Sequence, residues 1–163
     1  MLNKLWQKKQ RPPPEPDSSK EELLLEARLK ELKSSPYANY ISQLTKKISG
    51  KTVESTIGGS SGFILHFSDR SWVAAYLEND QLHYWFGEGE SPSALAELIN
   101  SPDYGETGDI AAEVVGARGH TVIGLSIGLN CFSFCFKENR ALDTFIVPTP
   151  SRKPGLRVCW TPC

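Results

Sequence analysis

The sequence predicts an α+β fold of two similar halves, each a helix followed by a four-stranded antiparallel meander, preceded by an N-terminal helix. Three observations predict it. Hydrophobic periodicity changes from helical to alternating at Gly50. The strand-like runs beyond it are joined by connections too short for parallel crossovers. The order of signals then recurs once along the chain.

Residues 1–17 end in Arg11-Pro12-Pro13-Pro14-Glu15-Pro16-Asp17, whose prolines favour an extended polyproline II arm and exclude helix. Ser18 or Ser19, with Glu21 or Glu22 three residues on, offers a capping box for a helix over 18–33. Leu25, Leu29 and Leu32 give that helix one apolar edge.

The first half spans 35–90. Ser35 is its N-cap, Pro36 suits the first helical position, and Tyr37, Tyr40, Ile41, Leu44 and Ile48 line one face before Gly50 ends the helix. A strand-like run at 51–57 follows, then strands at 63–67, 72–77 and 82–86. Ser68 to Ser71 join the first two of these, and Asn79-Asp80 makes a tight hairpin turn before the third. Pairing across the turns sets Phe63, Leu65 and Phe67 beside Trp72, Ala74 and Tyr76, with Ile64, His66, Val73, Ala75 and Leu77 on the other face. Both faces are apolar, so each needs cover. The helices take one; the other half of the chain, or a second subunit of a homo-oligomer, takes the other.

The second half spans 91–148. Ser91-Pro92-Ser93-Ala94 opens a helix over 91–100 as Ser35-Pro36-Tyr37-Ala38 opens the earlier one. Gly105 answers Gly50, the run Ile110–Val115 reads as a strand, and Gly116 to Gly119 repeats the spacing of Gly59 to Gly62. Residues 63–86 align with 123–146 at a constant offset of 60, which sets Trp72 opposite Phe132 and Tyr76 opposite Phe136. Here Phe132, Phe134 and Phe136 share one face of a strand, and Cys131, Ser133 and Cys135 form a small-residue face suited to close approach by a helix. Residues 149–163 read as a basic, Pro-rich tail.

The net charge of −1 hides an uneven distribution. Residues 1–53 hold 11 Lys or Arg against 6 Asp or Glu, residues 54–150 hold 4 against 13, and residues 151–163 hold 3 against none. An acidic body of net −9 between basic ends repels nucleic-acid phosphate and attracts a basic partner. No apolar run approaches the roughly 20 residues of a bilayer span. The N-terminus, with Leu2, Leu5 and Trp6 among lysines, lacks the apolar core of a secretory signal, so a cytoplasmic location without membrane association is expected.

No motif supplies a chemistry, and neither a catalytic residue nor a cofactor is expected. Cys131 with Cys135 and Cys159 with Cys163 have zinc-like spacing, but an extended strand holds the first pair about 13 Å apart, so no metal site is assigned. Ser49-Gly50-Lys51-Thr52 resembles the end of a phosphate-binding loop, yet Thr45 stands where its first glycine is needed. Gly58-Gly59-Ser60-Ser61-Gly62 lies between strands and reads as a hairpin turn. The acidic loop of Asp103, Glu106 and Asp109 lacks the alternating oxygens and closing glutamate of a calcium loop.

The sequence therefore favours a non-enzymatic protein-binding or regulatory module. Its concrete form is an acidic inhibitor or immunity-type protein that docks a basic surface through Glu78, Asp80, Glu88, Glu90, Asp103, Glu106 and Asp109. The alternative is a single-stranded nucleic-acid-binding accessory protein using basic, aromatic ends: Lys4, Trp6, Lys8, Lys9 and Arg11, with Arg152, Lys153, Arg157 and Trp160. A third reading is a small enzyme with a site between the halves, where Arg70, Arg118, His83 or His120 would converge.

Overall fold

The computed structural model describes residues 36–127 and 131–162, together with Leu23 and Ala27. The expected arm over 1–17 lies outside the described residues. So does the helix over 18–33 except for Leu23 and Ala27, which are helical and exposed.

A helix α1 (Pro36–Ile48) leads into β1 (Val53–Gly58), β2 (Gly62–Phe67), β3 (Ser71–Glu78) and β4 (Gln81–Glu88). Two short helices, α2 (Ala94–Leu98) and α3 (Ile110–Val115), precede β5 (Val122–Ile127), β6 (Cys131–Phe136), β7 (Arg140–Pro148) and β8 (Pro154–Pro162). Each set of four strands forms its own antiparallel meander in chain order. The α+β class and the two similar halves stand as expected.

The halves are related by an offset of 69 residues, not 60. Thr52 and Thr121 form an antiparallel bridge where the two sheets meet. The hydrogen bonds around it repeat across a local two-fold: Val53 N to His120 O matches Val122 N to Lys51 O, and Gly119 N to Val53 O matches Gly50 N to Val122 O. Val53 pairs with Phe67 as Val122 pairs with Phe136, and a bulge follows both. Gly50 and Gly119 share left-handed φ values of 83° and 79°, as do Arg70 and Asn139 at 67° and 56°. Few side chains can hold that conformation without strain.

This register moves three boundaries. The helix equivalent to α1 is α3, so the run Ile110–Val115 is not a strand. Asp109 accepts from Ala112 N at its start, and the buried Ile110 and Val114 stand four apart on one face. The expected helix over 91–100 shortens to five residues and belongs to the connection between the halves. The stretch 149–163 is no free tail: Pro154–Pro162 is β8, paired with β7 from Pro148–Pro154 to Arg140–Pro162. Proline is tolerated there because β8 lies at a sheet edge with prolines at its two ends.

One register within the first sheet also differs. The β2–β3 turn holds three residues, Ser68 to Arg70, and Ser71 already belongs to β3. Leu65 therefore faces Val73, and His66 faces Trp72. A slip of one residue exchanges the faces of a strand. Phe63, Leu65 and Phe67 thus share the inner face with Val73, Ala75 and Leu77, and pack into one core with Phe134, Phe136, Leu142 and Leu156 of the second sheet. Ring contacts cross the interior, with Phe63 and Phe134 centroids 5.9 Å apart and Tyr84 5.8 Å from both Phe132 and Phe134. The buried Thr144 hydroxyl donates to Phe132 O and lies 3.4 Å from the Tyr84 hydroxyl.

The outer face of the first sheet is covered by α2, where Leu95 and Ile99 pack on Ile64, Trp72, Ala74 and Tyr76. The helices α1 and α3 each pack against the first strand of the other half's sheet, α1 on β5 and α3 on β1. Ile41, Leu44 and Ile48 of α1 are buried as its spacing predicts, and Tyr40 instead reaches the Tyr84 carbonyl.

Candidate functional site

The last strand of the first sheet carries an aromatic strip on its outer face. Trp85 lies opposite Ala74, with its ring edge-on to Trp72 at 5.5 Å, and stays 38% exposed. His83 stacks on Tyr76 at 5.8 Å, and its Nε2 is 3.0 Å from Glu78 O. Burial, and then the Glu78 carboxylate, push the Tyr76 phenol up. The two-residue turn at Asn79 and Asp80, both with left-handed φ, builds this hairpin as the sequence predicts.

Carboxylates bracket the strip. Glu78 and Asp80 are exposed at the hairpin end of β4, and Glu88 and Glu90 are exposed at the opposite end. Asp103 joins the first group, since the neighbouring Tyr104 hydroxyl accepts from Asp80 N at 3.0 Å. Glu106 is exposed on the connection between the halves, and Asp109 is occupied as the cap of α3. The seven acids thus divide into two ends of one face and a remainder near α3.

Beside Glu90 an open groove of about 680 Å³ runs over β1 and β2. Glu54, Ser55, His66, Arg70, Glu90 and Ser91 supply its polar lining, and Ile57 and Phe67 its apolar part. The chain after β4 is strapped to the β2–β3 turn by Gly89 N donating to Arg70 O. His66 Nε2 lies 3.3 Å from Ser91 Oγ, and burial lowers the His66 pKa against the opposing field of Glu54. Below the turn, Lys51 Nζ contacts Asp69 at 2.6 Å and donates to Ser71 Oγ at 2.7 Å. Hydrogen bonds from Lys51 and Ser71 hold the Asp69 carboxyl down at about 2.

Among the described residues the basic C-terminal stretch is part of the fold. Lys4, Trp6, Lys8, Lys9 and Arg11 lie outside the described residues. Trp160 is engaged within the fold: its indole donates to Glu113 O, Arg140 stacks on it at 4.3 Å, and Phe136 lies 5.4 Å away. Arg152 sits in the β7–β8 loop, Lys153 donates to Pro102 O, and Arg157 is exposed on β8.

The groups named for catalysis are likewise dispersed. Arg70 is at the groove, His83 on the β4 strip, Arg118 exposed after α3, and His120 at the seam, 2.5 Å from Glu138 at an angle that is not that of a hydrogen bond. The amides of Ser60 and Ser61 are taken by Asn100 and Ile99 O, so the glycine-rich turn is a buttressed hairpin. Among the described residues no three His, Cys, Asp or Glu converge to hold a metal ion. The face of Cys131, Ser133 and Cys135 carries the carboxylate of Asp143, to which Ser133 and Thr161 donate. Burial raises the neighbouring Cys159 thiol.

Sequence reasoning missed the groove and the exposure of Trp85. The first depends on the bulge after Val53, and the second on where the cover of α2 ends; neither leaves a motif. No protein-family model, curated protein or solved structure matches the chain. No helix among the described residues is long and apolar enough to cross a membrane.

Proposed function

We propose that the protein is a non-enzymatic binding module that docks a basic partner protein on the outer face of β4. Trp85 carries the reading: a large ring, 38% exposed, in mid-strand, with carboxylates at both ends of that strand. Aromatic anchors ringed by polar residues are where binding energy concentrates in protein interfaces. The anchor is held in place by Trp72 behind it, so little side-chain freedom is lost on docking. Glu78, Asp80 and Asp103 at one end and Glu88 and Glu90 at the other steer and orient a cationic surface. An inhibitor or immunity-type protein that masks a basic active site is the concrete form of this proposal, acting in the cytoplasm.

The test is made on the full chain and a partner captured with it from native lysate, then purified and recombined. Association is expected to slow steeply between low and physiological ionic strength, and Trp85→Ala to weaken affinity at least tenfold. Association that ignores salt, or is indifferent to Trp85→Ala, would sink the proposal.

A further inference from the structure

The duplication supplies an internal comparison. Positions that hold the seam together agree between the halves: Gly50 with Gly119, Thr52 with Thr121, Val53 with Val122, Phe67 with Phe136. The charged positions of the groove do not. The bulge that carries Glu54 in the first half carries Ile123 in the second, and His66 and Arg70 correspond to Cys135 and Asn139. The strap that brings Glu90 to the groove has no counterpart, because the matching stretch is part of β8. One copy of a shared scaffold carries two carboxylates and a histidine at positions where its twin has Ile123, Cys159 and Cys135. Bulges commonly re-aim a side chain at a functional site.

A second observation falls at the same place. His66 Nδ1, in the groove lining, is buried without a hydrogen-bond partner. Buried polar atoms are rarely left unpaired, and this one calls for an explanation.

We propose that this groove receives an arginine side chain of the docked partner; the inference rests on the protein-binding reading above. Glu54 and Glu90 are exposed and have no ion-pair partner among the described residues. A guanidinium offers five donors in a planar fork to carboxylate and hydroxyl acceptors, whereas an ammonium is a point charge. Ile57, 48% exposed, gives the aliphatic stem an apolar wall. The groove opens beside Glu88 at the end of the β4 strip, so one partner surface covers both.

The experiment titrates N-acetyl-arginine methylamide, and its lysine and citrulline counterparts, into the intact chain while amide NMR shifts of Gly89, Ser91 and His66 are followed. A lysine-rich peptide read by Trp85 emission tests docking separately. The arginine probe is expected to bind saturably and the citrulline probe not to, with Glu54→Gln and Glu90→Gln each weakening arginine about tenfold and leaving the rest of the spectrum in place. Equal binding of citrulline, tighter binding of lysine, or an unchanged affinity in both variants overturns the proposal. If the peptide perturbs Trp85 while arginine leaves Gly89 and Ser91 unmoved, the groove proposal falls and the docking reading stands. If arginine binds there but no basic probe engages Trp85, the docking reading falls instead.

Discussion

Thr52 and Thr121 meet hydroxyl to hydroxyl at 2.9 Å, where the local two-fold passes between the halves. Around them the two sheets exchange four backbone hydrogen bonds through Gly50, Lys51, Val53, Gly119, His120 and Val122. The seam repeats further out, since Lys51 over Phe67 with Asp69 is answered by His120 over Phe136 with Glu138. Each half thus closes its second hairpin turn with a clamp of one basic side chain, one aromatic ring and one carboxylate.

Thr52→Val and Thr121→Val are each expected to cost about 1 kcal/mol, the net worth of one hydrogen bond. Each single change strands the surviving hydroxyl in a half-buried seam. The double variant is therefore expected to cost less than the sum of the singles. A double-mutant cycle by urea denaturation measures this, and strict additivity would show that the two hydroxyls do not depend on each other.

Asp69→Asn tests the clamp under β2–β3. The Asp69 carboxyl is depressed from 3.8 to about 2, so the folded state holds its proton less tightly than the unfolded chain. The stabilisation is present above the unfolded value and is lost as pH falls from about 3.8 through about 2. Because half of the carboxylate side is solvent-exposed, screening limits the effect to about 1 kcal/mol at neutral pH. Stability curves of the parent and Asp69→Asn chains, separated at pH 7, should converge as pH approaches 2; a constant gap would place the effect in packing.

Trp72 and Trp85 touch but do different work. Trp72 is 2% exposed and lies over Gly87, where any Cβ would strike its indole, so Trp72→Ala is expected to cost about 3–5 kcal/mol. Gly87→Ala should destabilise by about 1–3 kcal/mol through the same contact. Trp85→Ala should cost less than either core change while removing partner affinity. Thermal melts beside binding isotherms separate the two tryptophans, and a Trp85→Ala chain as unstable as Trp72→Ala would make Trp85 a core residue.

Much of this architecture was legible from periodicity. The apolar stripe Ile41, Leu44 and Ile48 and the Asn79-Asp80 turn stand where the sequence puts them. The duplication was legible too, but at the wrong offset, and the reason is physical. The strands start nine residues apart, β1 at Val53, β2 at Gly62 and β3 at Ser71, and again β6 at Cys131 and β7 at Arg140. Sliding one half by a single strand and its turn keeps strand over strand, so 60 and 69 look alike until hydrogen bonds choose. The Leu65 register was hidden because a left-handed Arg70 shortens a turn without a glycine to announce it. Of the site, the acids were readable from charge, and the groove was not, because it is made by a bulge and a strap from separate stretches.

The hardest consequence concerns β8, whose prolines and arginines look like a tail. Leu156 is wholly buried and Val158 is 6% exposed in the shared core. Gly155 lies against Thr107 and the Gly105 carbonyl, with no room for a side chain. Trp160 ties the strand to α3 through Glu113 O. A chain ending at Pro150 would uncover β7 and half of the second sheet's inner face, and should lose its cooperative thermal transition. Leu156→Ala in the full chain should cost about 2–5 kcal/mol, while Arg157→Ala, exposed on the same strand, should stay within about 0.5 kcal/mol. Circular-dichroism melts of the three chains decide it. A truncated chain that melted like the parent would mean that the second sheet stands on three strands.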